Sequence, residues 1–166
     1  MAGMINQLVE VMKEQAERYN ELWGLSLEEK EVLVSNDIES LTKITNLKKI
    51  VITQNNRLET KRISLAKDIA EVMGYGEGEI ELTKLIELMG EQPEAVELTE
   101  VAKQLREVME KLRVANDENK LLLENSLEFV EYSINVIRSS VEPELPEFPA
   151  KYGGGDTMAN SFNATS

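Results

Sequence analysis

The chain has 166 residues, of which 42% are hydrophobic and only 5% aromatic, which suits one domain of long helices rather than a β-sheet protein. Its formal charge is −13, from 31 acidic and 18 basic residues. Because phosphate groups are neutralised by basic surfaces, this charge argues against nucleic acid and anionic membranes as partners. Cysteine and histidine are both absent from the sequence, which excludes disulfides, zinc–thiolate sites and histidine-based catalytic triads.

Targeting signals and enzyme motifs are also missing. Residues 1–15 lack the basic region of a signal peptide, and no apolar run approaches the roughly 18 residues of a membrane span. Helical nucleotide pyrophosphohydrolases hold magnesium with a Glu-x-x-Glu and a Glu-x-x-Asp pair on facing helices. Glu28 and Glu31 supply the first pair, but none of the four aspartates has an acidic residue three positions before it. We therefore expect a cytoplasmic protein without membrane insertion, enzyme activity, bound metal or cofactor.

The first predicted helix covers residues 4–34. Its apolar spacing continues across Gly24, which favours one long helix that tolerates a glycine over a break at that point. The alternative is a restart at Ser26, whose spacing to Glu29 fits a capping box. Trp23 is expected in the core rather than as a partner hot spot.

The second predicted helix covers residues 38–73 and follows a connection so short that the two helices must be antiparallel. Asn36 is the predicted N-cap, with a glutamate three residues further on. One seam row of this helix is aliphatic, whereas the other carries Lys48, Asn55 and Arg62 in succession. We interpret these polar residues as fixing the helix register. A polar groove for a ligand is the open alternative.

Three glycines within residues 74–78 end the second helix, and a short helix is predicted over residues 82–89. Pro93 is well placed in the first turn of a last helix that runs to residue 141. Beyond Pro93 that helix contains no proline or glycine, and its apolar seam runs from Leu98 to Val136 at alternating three- and four-residue steps. Polar residues also occur in the seam of this helix at seven-residue intervals: Asn119, Ser126 and Ser133. Of these, Asn119 either selects one register or is an ordinary packing residue.

These elements predict an all-α fold, an antiparallel long-helix hairpin or bundle with coiled-coil-like packing, one short helix and an extended C-terminal tail. One helical domain is expected over residues 1–141. Its helices are predicted at 4–34, 38–73, 82–89 and 93–141. Residues 142–166 are rich first in proline and then in glycine and small polar residues, which predicts a flexible tail.

The second half of the last helix carries more apolar surface than one antiparallel neighbour would cover. A second apolar stripe appears there beside the seam and widens the face. We predict that this surplus width binds a partner helix. A dimer seam and an internal core are the alternatives. The predicted partner-binding residues are Leu122, Leu123, Leu127, Phe129, Val130, Ile134, Ile137 and Val141.

The hairpin sequence LSLEEKEVLVSNDIESLTKITNLKK resembles the FlgN family of flagellar export chaperones. The positions that match the family pattern are Leu25, Glu28-Glu29-Lys30, Leu33, Asp37, Leu41 and Lys48, with Arg62 later. A second similar pattern consists of Asn116, Asn119, Leu122-Leu123, Ser126-Leu127 and Val130, with Tyr152-Gly153 in the tail. The resemblance covers residues 5 to about 155.

The resemblance implies a cytoplasmic bacterial protein of the flagellar type III export pathway. Such chaperones bind the helical terminal segments of hook-associated proteins, which form the hook–filament junction. They prevent premature assembly and deliver their clients to the export apparatus, and the family binds towards its C-terminal end. The alternative is a structural coiled-coil adaptor or a homodimeric scaffold with no export role, so homo-oligomer formation stays open.

Overall fold

A computed structural model describes residues 2–76 and 80–141 of the chain. The described part contains no strand and four helices: α1 (Ala2–Ser35), α2 (Ile38–Val72), α3 (Leu82–Met89) and α4 (Pro93–Val141). The predicted all-α, long-helix fold is confirmed. The tail predicted over residues 142–166 lies outside the described residues.

The first helix runs without a break through Gly24. A Cβ added at Gly24 would meet nothing within 4 Å, so close packing does not require the glycine. Ser26 does not cap a new helix. It is buried, and its Oγ donates a hydrogen bond to Asn116 Oδ1 at 3.0 Å. Burial of Leu22 and Leu33 on either side of this region explains why the helix continues, since packing outweighs the cost of one glycine.

The turn between α1 and α2 uses a different cap from the predicted one. Asn36 adopts a left-handed backbone with φ 55°, a conformation that asparagine tolerates better than most residues. Asp37 is the N-cap: its carboxylate accepts hydrogen bonds from the Ser40 backbone N–H at 3.1 Å and from Ser40 Oγ at 2.6 Å. The prediction of Asn36 as N-cap is wrong, because this asparagine makes the chain reversal and the next residue, Asp37, caps the helix.

The chain divides into two units, Met1–Lys120 and Leu121–Ser166, and α4 belongs in part to each. In the first unit α1 and α2 are antiparallel. Gln15 Nε2 donates to Glu59 Oε2 at 2.7 Å, and Lys48 Nζ donates to Glu29 Oε2 at 2.8 Å. Residues later in α1 therefore pair with residues earlier in α2.

The first part of α4 runs parallel to α1. The Nζ of Lys13 lies 3.6 Å from Glu97 Oε2, and the Nζ of Lys30 lies 2.9 Å from Glu118 Oε2. Residues later in α1 therefore pair with residues later in α4. With α2 these helices form a three-helix bundle within the first unit.

The main core of the first unit lies where α3 meets one half of each long helix. Each helix contributes a fully buried apolar side chain: Leu8, Ile69, Leu85 and Leu98. Burying a side chain of this size contributes about 1.5–3 kcal/mol. α3 therefore stabilises the end of the bundle where the first helix begins and the second one ends.

Trp23 is half-buried rather than part of the core. The Nζ of Lys111 lies 5.0 Å from the centroid of its ring, a distance at which a cation is attracted to the aromatic face. The expected core position is wrong because α4 offers this ring an ammonium group and a shallow groove with Leu27 and Val114, not a closed apolar layer.

Candidate functional site

The apolar residues of α4 keep the same spacing along the helix, but they are buried in its first part and exposed in its second part. In the first unit its seam residues Leu98, Val101 and Leu105 are buried, and Asn119 is still only 3% exposed. From Leu121 to residue 139 no described residue is buried. The periodicity of the helix therefore continues after its burial has ended.

Seven of the eight predicted partner-binding residues lie in this part of α4, and Val141 follows it in the helix. Leu122 is half-buried, and the side chain of Val141 lies outside the described residues. The other six are between 44% and 70% exposed: Leu123, Leu127, Phe129, Val130, Ile134 and Ile137.

Helical geometry places these side chains in two neighbouring rows. At 100° per residue, the side chains of one row lie within about 80° of one another, and we call this row the α4 stripe. The α4 stripe consists of Leu123, Leu127, Val130, Ile134 and Ile137. Leu122 and Phe129 form the second row, which continues the seam of the first unit. Ser126 and Ser133 lie between the rows, and the Oγ of Ser133 is bound to the Phe129 carbonyl at 2.9 Å. Small side chains between apolar rows let another helix approach closely.

Carboxylates border the stripe on its other side. Glu124, Glu128 and Glu131 follow each other at four- and three-residue steps, so they share a side of α4 next to Leu127. This arrangement offers apolar contacts to a partner and disfavours partners that carry acidic residues at the same edge.

A cluster of polar side chains links α4 to α1 and α2 close to Asn119, the last buried residue among those described. Asn119 Nδ2 donates to the Ser26 carbonyl at 2.7 Å, and Ser26 Oγ donates to Asn116 Oδ1. Lys48 Nζ lies 2.8 Å from Glu29 and 3.5 Å from Asn116 Oδ1. Sequence analysis assigned Lys48 to the helix register, left Asn119 open between register and ordinary packing, and considered Ser26 only as a helix cap. Its spacing was the available signal, since Ser26 lies seven residues from both Tyr19 and Leu33, in the seam of α1.

The first unit also contains a groove of about 400 Å³ between its helices. Gln15, Glu59, Arg62 and Arg106 provide its polar lining, over apolar side chains such as Leu105. Arg62 donates two hydrogen bonds to Glu59, at 2.7 and 2.9 Å, and these bonds lower the pKa of that carboxyl. Of the three polar seam residues of α2, only Arg62 lines this groove. Lys48 instead pairs with Glu29, and Asn55 is buried.

Within residues 2–76 and 80–141, no group of His, Cys, Asp and Glu is arranged to hold a metal ion. No helix in that same part of the chain combines the length and the apolar character needed to cross a membrane.

Comparison with known proteins gives one match. The model of the FlgN protein family matches residues 1–152, which cover the whole first unit and the second unit as far as Tyr152. Comparisons with curated proteins and with solved structures gave no match.

Proposed function

Since this chain belongs to the FlgN family of flagellar export chaperones, we propose that it binds the helical terminal segments of hook-associated proteins through the exposed side of α4. In this proposal the protein keeps its clients unassembled in the bacterial cytoplasm and delivers them to the type III export apparatus. The observation that carries the proposal is the α4 stripe, a row of five aliphatic side chains that are 44–62% exposed.

The spacing of the stripe fits helix recognition. A filament-type subunit that has not yet assembled exposes amphipathic terminal helices that would otherwise associate with one another. The side chains of the α4 stripe are spaced by four and three residues, which is the pattern of anchors by which an amphipathic helix docks on another. Burying the exposed half of these five side chains contributes about 4–8 kcal/mol before the costs of association. Those costs reduce the net affinity to a level that permits release.

The charges beside the stripe add selectivity. Glu124, Glu128 and Glu131 disfavour client helices with acidic edges and favour those with basic ones. The same carboxylates help to keep an apolar face soluble while no client is bound. Neither role requires chemistry on the client, which agrees with a chaperone rather than an enzyme.

The proposal is tested with a double substitution in the stripe, Leu127→Asp with Ile134→Asp. The matched control is Asn125→Asp with Ser139→Asp, which adds the same charge to exposed positions of the same helix away from the stripe. The probes are synthetic peptides that cover the terminal helices of the hook-associated proteins from the same genome. We expect titration calorimetry to show binding by the parent and the control and none by the stripe variant, with equal helicity by circular dichroism.

Three results would contradict the proposal. Undiminished peptide binding by the stripe variant would exclude this surface as the client site. Loss of helicity together with binding would show that the stripe is core. A stable homodimer in sedimentation velocity that the stripe variant abolishes would favour the scaffold alternative.

A further inference from the structure

The charge of this acidic protein is unevenly distributed among its helices. α1 has three basic and seven acidic residues, and α4 has six basic and ten acidic ones. α2 has seven basic and four acidic residues, so it is net positive in a chain whose total is −13. This excess must lie either in internal ion pairs or on an accessible surface.

Much of the positive charge of α2 is on its outer surface. Lys49, Arg57, Lys61 and Lys67 are exposed, and no ion pair of theirs is found within residues 2–76 and 80–141. Glu59 is the one acidic residue between Glu39 and Asp68. Its carboxylate is bound to Arg62 and Gln15, so it does not neutralise the outer cations.

Apolar side chains lie among these cations at a spacing that suits a second helix. One row of α2 follows alternating four- and three-residue steps, as in a coiled-coil seam. Leu47 and Ile50, in the middle of that row, are 49% and 56% exposed. We call this row the α2 outer face. The row itself consists of Lys43, Leu47, Ile50, Gln54, Arg57 and Lys61.

We propose that the α2 outer face docks an acidic amphipathic helix of a second protein, distinct from the client that binds α4. Leu47 and Ile50 would contact the apolar side of that helix, while Arg57 and Lys61 would pair with its carboxylates. Such complementarity speeds encounter and selects the partner.

The apolar anchors and the total charge favour a protein over other polyanions. A phosphate backbone offers nothing to Leu47 and Ile50, and a net charge of −13 repels nucleic acid and anionic vesicles at a distance. An acidic helix gains apolar contacts that offset this repulsion. None of the residues of the α2 outer face belongs to the α4 stripe, so this inference does not depend on how the client binds.

The probe is a synthetic helix of about 20 residues, with leucines at heptad seam positions and glutamates elsewhere. A second peptide has lysines in place of the glutamates. Binding to the full chain is measured by fluorescence anisotropy. Because the carboxylates beside the α4 stripe favour basic helices, the two peptides are compared on the stripe variant, Leu127→Asp with Ile134→Asp. There we expect the acidic peptide to bind more tightly than the basic one. Its affinity for the full chain should fall severalfold when salt is raised, because screening weakens ion pairs between exposed charges.

The decisive variant is Arg57→Glu with Lys61→Glu. Its matched control, Lys103→Glu with Lys120→Glu, changes the net charge equally at exposed positions of α4. The Arg57→Glu, Lys61→Glu variant should bind the acidic peptide about tenfold more weakly or worse. The control should lower the affinity no more than about twofold. Leu47→Ser with Ile50→Ser should also weaken it, with helicity unchanged. The stripe variant Leu127→Asp with Ile134→Asp should still bind, which separates this surface from the client site.

Equal losses in the charge variant and its control would overturn the proposal, as would absent binding of the acidic peptide or equal binding of the two peptides to the stripe variant. Loss of binding in the stripe variant would assign the peptide to the client surface instead. Anionic vesicles and duplex DNA are tested in parallel. Binding of either one that requires Arg57 and Lys61, without binding of the acidic peptide, would also overturn the proposal.

Discussion

Asn119 is the residue at which α4 passes from buried to exposed surroundings in the described chain. Its Nδ2 donates to the Ser26 carbonyl, while its buried Oδ1 has no hydrogen-bond partner within the described residues. A buried amide in this position links two helices in one register, because a shifted register would leave both of its polar atoms unsatisfied.

We expect Asn119→Ala to lower the free energy of unfolding by about 1–3 kcal/mol, since a buried hydrogen bond is lost and a space opens between α1 and α4. Urea unfolding followed by circular dichroism measures the change. The control is Asn125→Ala, an exposed asparagine of the same helix, which should change stability far less. Equal effects would mean that the amide of Asn119 does not connect the helices.

Glu59 makes a pH-dependent contribution to stability. Its hydrogen bonds from Arg62 and Gln15 lower its pKa below the ordinary value of 4.5. Because the pKa is lower in the folded chain than in the unfolded one, these contacts stabilise the fold above pH 4.5. That stabilisation is lost as the pH falls through the folded-state pKa.

The stability difference between the parent and Glu59→Gln should therefore be largest near neutral pH and shrink on acidification. Denaturant titrations at several pH values measure it. Arg62→Gln should remove the same pH-dependent contribution, since it removes the main cause of the lowered pKa. A difference that is constant with pH would contradict this assignment.

At the scale of single residues, the sequence predicted types of interaction better than it predicted which residue makes them. A cap was expected at the α1–α2 turn, but Asp37 forms it because Asn36 takes the left-handed position. Ser26 resembled a cap in the local pattern, whereas its partner lies on α4. Such choices depend on contacts between distant segments, which a local motif does not contain.

At the scale of elements, two glycines behave differently. Gly24 lies within α1 with open space around its Cα, so Gly24→Ala should stabilise the protein by about 0.5–1 kcal/mol through helix propensity. Gly74 also has open space but follows the end of α2 at φ +80°, so Gly74→Ala should destabilise it. Thermal unfolding of the two variants measures both effects, and a change of the same sign in both would contradict this explanation.

The extent of each helix could be predicted from the sequence, but the part of α4 whose apolar side is buried by the other helices could not. Heptad spacing indicates which side of a helix is apolar, and the same spacing continues through Leu122 and Phe129. Whether that side is buried depends on the lengths of the other helices. α1 has 34 residues and α2 has 35, whereas α4 has 49. The surplus of apolar surface was predictable from the second stripe beside the seam, while its role as a binding site stays a prediction.

At the scale of the whole molecule, net charge and charge distribution carry different information. The total of −13 determines the long-range field, which opposes polyanionic partners. It does not describe the local surface, because Arg57 and Lys61 lie on a helix whose own charge is positive. A residue count averages over all helices, so it does not show the excess of basic residues on α2.

The division of the chain at Lys120 predicts that folding and client binding are separable. The main core cluster extends only to Leu105, and Asn119 is the last buried residue among those described. Residues 121–141 alone would form at best a marginal helix in water, so they add little to the stability of the core.

We therefore expect a truncated chain of residues 1–120 to unfold cooperatively, with a midpoint close to that of the full chain, and to lose binding to hook-associated terminal peptides. Thermal circular dichroism and titration calorimetry measure the two properties. A chain of residues 1–141 is the control and should keep both. If residues 1–120 fail to fold, the folding domain extends to residue 141 as the sequence predicted. If they fold and still bind the peptides, the client site lies outside the α4 stripe.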